Sequence, residues 1–306
     1  MGSLDTLRAG CRLLAVALAL AVAACGGGSS NKNDTNNTLG DVAFANGQFV
    51  TAGKSGRLFT SSDGVKFQSR HSNVDDTLAL NGCAGGAGLF IVVGDSGTII
   101  SSTDAVTWQA EVSGVDVSLQ AAIFDQGLFV AVGYQGTIIT STDGHVWTPR
   151  ASGTVAALHG IGTGPLGFVA VGDDGTVVTS ADGLTWEAGV SNTQNTLYGV
   201  TFGAGSYVFV GANGTVGRAT DPHSWTTVTQ ALPTLQDIAF SAEQNQFVVV
   251  AFFGSLYTTP DGVTFTTQTS STQNDLRAVA FGNGRWVAVG VDGVVRNSAD
   301  GVTWQK

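Results

Sequence analysis

The stretch "SADGLTW" (Ser180–Trp186) has six sister copies along the chain. They read "SSDGVKF" (Ser61–Phe67), "STDAVTW" (Ser102–Trp108), "STDGHVW" (Ser141–Trp147), "ATDPHSW" (Ala219–Trp225), "TPDGVTF" (Thr259–Phe265) and "SADGVTW" (Ser298–Trp304). The aspartates of the seven copies, Asp63, Asp104, Asp143, Asp182, Asp221, Asp261 and Asp300, follow one another at intervals of 39 to 41 residues. A near-constant period of that length marks a repeat architecture, in which each unit buries its faces against its neighbours. A catalytic group is needed once, a structural one in every unit, so the heptad reads as a structural part. Its chemistry suits a tight turn: Asp accepts hydrogen bonds from turn N–H groups, Gly permits positive φ, and the aromatic ring can be buried.

The last unit, "LRAVAFGNGRWVAVGVDGVVRNSADGVTW" (Leu276–Trp304), shows the segments between heptads most clearly. Gly-Asn-Gly separates "LRAVAF" from "RWVAVG", "VDG" precedes "VVRNS", and "ADG" precedes a fourth segment. Such turn signals between short apolar runs predict four strands. Four strands in about 40 residues make one propeller blade. Seven units predict an all-β, seven-bladed β-propeller of four-stranded blades over residues 39–306. The chain ends just after the seventh heptad, so the last blade's outer strand is barely present. Ring closure is therefore expected to come from packing of the first blade on the seventh, without a shared strand.

The heptad resembles the Asp-box, or BNR repeat, of sialidase-like propellers, in a variant one residue shorter. That resemblance spans nearly all of residues 39–306 and implies fold more than function. True sialidases carry an arginine triad, a Tyr nucleophile with a Glu partner, and an Asp acid/base. This chain has Glu111, Glu187 and Glu243 as its only glutamates after residue 24 and no Arg-Ile-Pro motif, and no Tyr stands in such a context. The repeats are also similar to those of photosystem II assembly-factor propellers. Those usually carry a doubled glycine in the box and a basic patch; this acidic, single-glycine chain departs from both.

Residues 1–24 read as a cleaved signal segment. Arg8 and Arg12 precede an apolar run of eleven residues, Leu13–Ala23, too short to span a bilayer but suited to a signal core. "VAAC" (Val22–Cys25) resembles the bacterial lipobox, which implies lipidation of Cys25; ordinary cleavage nearby is the alternative reading. Residues 25–38 then read as a lipidated cysteine and a polar tether. By resemblance to Gram-negative lipoproteins, Gly26 implies the outer membrane, on its periplasmic or surface face, rather than retention at the inner one. Of the three cysteines, Cys11 would leave with the signal and Cys25 would carry lipid. Cys83, aligned with the apolar Val279, is expected to be a buried thiol.

The net charge is −10 with only four lysines, which argues against a nucleic-acid partner. The four histidines after the signal (His71, His145, His159, His223) show no metal-ligand spacing, so neither metal nor cofactor is expected. The chain is expected to act as a monomeric, lipid-anchored, non-catalytic binding or assembly scaffold for a protein or glycan. A carbohydrate-active enzyme with its site at the channel mouth is the alternative. One position per repeat, just after the first-strand leucine, is predicted to face that mouth: Gly40, Asn81, Gln120, His159, Tyr198, Gln236 and Arg277. The second-to-third strand hairpins should share the face and add Tyr134 and Phe253, where sister repeats carry small or polar residues. Divergence at one register suits either a binding surface or simply channel-edge residues facing water.

Overall fold

The computed structural model describes residues 37–306. The expected signal segment, Cys25 and all of the tether except Asn37 and Thr38 lie outside the described residues. Among the described residues, strands group into seven antiparallel sheets in chain order, six of four strands and one of three. This is the seven-bladed all-β propeller that the repeat period predicts. No described helix is long and apolar enough to cross a membrane.

Each blade begins with an inner strand of seven residues that starts on leucine: Leu39–Ala45, Leu80–Gly86, Leu119–Asp125, Leu158–Gly164, Leu197–Gly203, Leu235–Ser241 and Leu276–Gly282. Six-residue second strands follow, such as Gln48–Gly53 and Arg285–Gly290, and they are buried almost throughout. Burial on both faces explains their continuous apolar runs, because a blade meets a neighbour on each side. The second residue of every second strand is aromatic: Phe49, Phe90, Phe129, Phe168, Tyr207, Phe247 and Trp286 are each 3% exposed or less.

The heptads join third to outer strands, at the end of the ring opposite the second-to-third connections. Asp143 shows what the carboxylate does there. Its Oδ1 accepts the N–H groups of His145 and Val146, both at 2.9 Å, and the Ser141 hydroxyl, also at 2.9 Å. Asp63, Asp104, Asp182, Asp261 and Asp300 accept the same three kinds of donor, and Asp221 accepts the N–H of His223. These bonds to backbone N–H groups hold Asp63, Asp104 and Asp143 down at about 2. Trp147, Trp186, Trp225 and Trp304 close the turn, each indole N–H donating to the carbonyl of the residue after the aspartate.

The ring closes by packing. Leu39, Val42 and Phe49 of the first blade form one apolar cluster with Ala278, Val287 and Val289 of the seventh. The Asn283 amide also donates to Ser62 O across this seam. The seventh blade has three strands, and its outer strand is reduced to mutual backbone bonds between Asn297 and Gln305 at 2.9 Å.

Candidate functional site: the mouth of the central channel

The inner strands carry the same irregularity in all seven blades. Pairing with the second strand jumps by one residue after the leading leucine, from Leu39↔Gly53 to Asp41↔Ala52 and equivalently around the ring. The residue left over is the one singled out by the repeat alignment, from Gly40 to Arg277. A bulge residue is freed from the ladder and its side chain is re-aimed. Here all seven line one central cavity of about 370 Å³. The leucines beside them are 2% exposed or less, so adjacent positions serve the core and the channel separately.

Five of the six polar bulge residues fall into three groups. His159 and Tyr198 stand with their ring centroids 5.6 Å apart, and Tyr134 meets His159 edge-on at 6.4 Å. His159 Nε2 lies 2.8 Å from Asp173 Oδ1, which also accepts the Thr196 hydroxyl at 3.2 Å. Burial, then the Asp173 charge, pushes the Tyr198 phenol up, against the opposing charge of Arg277. In the second group Arg277 donates to Gln236 Oε1 at 3.0 Å and lies over the Phe252 ring at 5.2 Å. Asn81 forms the third, donating to Asp95 Oδ1 and Leu119 O, both at 3.0 Å. Gln120 lines the cavity apart from these groups.

Asp95, Tyr134, Asp173 and Phe252 each open one of the short 3-10 turns that join second to third strands, and each touches a bulge residue of the cavity. The middle residue of the turn is left-handed in every blade, and sister blades place Ser, Gln, Asp or Asn there. The sixth blade places Phe253, at φ 60° and 70% exposed. A bulky residue in that region is disfavoured by roughly 1–2 kcal/mol. Its N–H donates to Asp275 Oδ1 at 2.8 Å, while the ring faces solvent, 6.3 Å from that of Phe252.

Two channel groups escaped the sequence reading. The residue after the bulge is Gly82, Ala121, Gly160, Gly199 or Ala278 in five blades but Asp41 and Asp237 in the first and sixth. The level is crowded: a Cβ on Gly160 would stand 2.3 Å from Tyr198 O, and one on Gly82 2.8 Å from Ala121 Cα. Each aspartate uses the crowding to tie two inner strands together. Asp41 Oδ1 accepts the Val42 N–H at 2.8 Å and Oδ2 the Cys83 N–H at 2.7 Å. Asp237 repeats this with Ile238 at 2.8 Å and Val279 at 2.9 Å. Burial raises Asp41 to about 6 and Asp237 to about 7, the Asp41 charge adding to the second, while the N–H bonds pull both back down. The signal in the sequence is an acid that replaces Gly or Ala one place beyond the bulge residue. Cys83 is buried as expected, and its thiol is pushed up by burial and by Asp41.

No known protein-family profile matches this chain, and no curated protein does. Solved structures do. YCF48 bound to D1 peptide superposes with a TM-score of 0.71 at 17% identity, over 88% of this chain and 93% of that one. YCF48 from Cyanidioschyzon merolae gives 0.68 at 16% identity, over 86% and 95%. The WD40 propeller domain of Doa1 gives 0.70 at 12% identity, over 90% and 94%. The likeness is one of fold.

Proposed function

We propose that this protein is a lipid-anchored, non-catalytic scaffold of the bacterial cell envelope, whose channel mouth holds a segment of a protein partner. The observation that carries the reading is Phe253. An aromatic side chain stands 70% exposed in a left-handed turn that its own sister blades fill with small or polar residues. Backbone strain combined with apolar exposure costs the fold free energy and yields it nothing, which points to a role outside the fold. Tyr134, 45% exposed beside His159 and Tyr198, supplies a second aromatic on the same rim. Aromatic anchors beside hydrogen-bonding groups suit peptide contact. The YCF48 neighbour bound to a D1 peptide supplies a precedent on the same fold.

The test is an array of peptides and polysaccharides probed with the purified chain, with turnover followed in the same wells. Peptide binding should fall in Tyr198→Ala and in Phe253→Asn. Phe253→Asn should at the same time gain roughly 0.5–1 kcal/mol of stability, because Asn tolerates the left-handed turn. Unchanged binding in both variants would overturn the assignment.

The anchor rests on the apolar run Leu13–Ala23 and on the Cys25 that closely follows it. Incorporation of a palmitate analogue that disappears in Cys25→Ser checks it. A carbohydrate-active enzyme is a second reading, favoured by one observation: Asp41 and Asp237, both raised, face the same channel. Against it, all four carboxylate oxygens already accept backbone N–H groups. Turnover of any polysaccharide in the array would establish the enzyme and refute the scaffold, and a bound but uncleaved glycan would move the partner class from peptide to sugar.

A further inference from the structure

Resting on the reading of the mouth as a peptide site, we infer that the bound segment carries a cationic side chain, arginine or lysine, which enters the channel between Asp41 and Asp237 while the aromatic rim holds the flanking residues. Two independent features meet here: an apolar, exposed rim around Tyr134 and Phe253, and a cavity beneath it with carboxylates in its wall. The cavity's 370 Å³ equals about a dozen water volumes at ~30 Å³ each, room for one extended side chain but not for a folded element.

Charge complementarity selects the occupant. Asp41 and Asp237 line the channel and Asp95, Asp173 and Asp275 stand at its rim. Among the described residues the one guanidinium on the channel wall, Arg277, is already bonded to Gln236, placed over the Phe252 ring and 3.6 Å from Asp275. An anionic group entering here would meet the repulsion of these carboxylates, whereas a cation would be drawn in. The fold itself does not require the two acids, since five blades place Gly or Ala at the same level. Their ionisation is opposed by desolvation, and an incoming cation removes that penalty by pairing.

The sign of the pH effect follows. A cation binds the charged carboxylates, which form as pH rises through about 6 and about 7, so affinity for an arginine peptide should climb between pH 5 and pH 8. The other titratable or charged groups facing the channel are Cys83, His159 paired with Asp173, Tyr198 and Arg277. The pH series is repeated in His159→Gln, which removes the imidazole from the channel wall, and the rise must persist there.

The probes are acetylated, amidated peptides of matched apolar content with arginine, citrulline or glutamate at the centre, titrated calorimetrically into the full chain. Arginine should be preferred over citrulline by about tenfold, the scale of one recovered charge pair. The preference should vanish in Asp41→Ala/Asp237→Ala. If loss of the blade ties unfolds that variant, Asp237→Asn keeps size and an acceptor and should reduce the preference alone. Equal affinity for arginine and citrulline peptides overturns the inference even without a variant. If all three peptides bind alike and Phe253→Asn weakens them equally, the rim reading survives and the channel assignment fails. If none binds, both fail.

Discussion

Replacing Trp286 by alanine is expected to cost about 3–5 kcal/mol of folding stability, the range for truncating a large buried aromatic. Trp286 is fully buried and fills the second-strand aromatic position of the seventh blade. It packs with Val248, Val250, Leu256, Val279 and Trp304, and its ring meets Phe281 at 4.9 Å. Its indole N–H donates to Gln244 Oε1 at 2.8 Å, so truncation also strands an amide oxygen of the sixth blade. Trp286→Phe, which matches the residue in five sister blades, should retain most of the packing and lose chiefly that bond, at about 1 kcal/mol. Chemical denaturation of the three proteins checks the order. A cost below 1 kcal/mol for the alanine variant would mean that the seventh blade contributes little to the cooperative unit.

Gly282→Val is expected to destabilise by about 1–3 kcal/mol through overpacking at the closing seam. A Cβ on Gly282 would stand 2.0 Å from Phe44 Cγ of the first blade. Phe44 cannot easily retreat, because its ring packs tilted against that of Phe49 at 4.7 Å. Gly203→Val is the matched control: its Cβ would meet Phe240 at 2.2 Å, between the fifth and sixth blades. There the two blades are consecutive in the chain, whereas among the described residues the first and seventh are joined by packing and side-chain bonds. The Gly282 variant should therefore lower Tm more than the Gly203 variant and expose the seam to protease first. Equal melting temperatures would show that the seam is as strong as any interior junction, with the ring held by burial rather than by connectivity.

The bulge register shows how far a sequence reaches toward a site. His159, Tyr198 and Arg277 were identifiable because a repeat supplies its own internal comparison: neighbouring positions stay apolar while this one varies. The bulge that aims them is a backbone event with no residue signature of its own, since the residues that occupy it range from Gly40 to Arg277. Phe253 was visible as an aromatic out of pattern, but the left-handed backbone beneath it was not. Asp41 and Asp237 were overlooked for a different reason. On a strand, an acid reads as solvent-facing, and only the approach of the next inner strand makes it a buried acceptor of two N–H groups.

Sequence by itself determined the blade number, the four-strand unit and the heptad turns. All of these follow from a period, from turn residues and from alternation of apolar runs, which are local and repeat seven times. Tertiary structure alone decided which side chains share the channel, which carboxylates lose their water, and how the seam is packed. Those depend on distances between residues up to a whole ring apart in the chain, such as Asn283 and Ser62, and burial by a neighbouring blade has no counterpart within a single repeat.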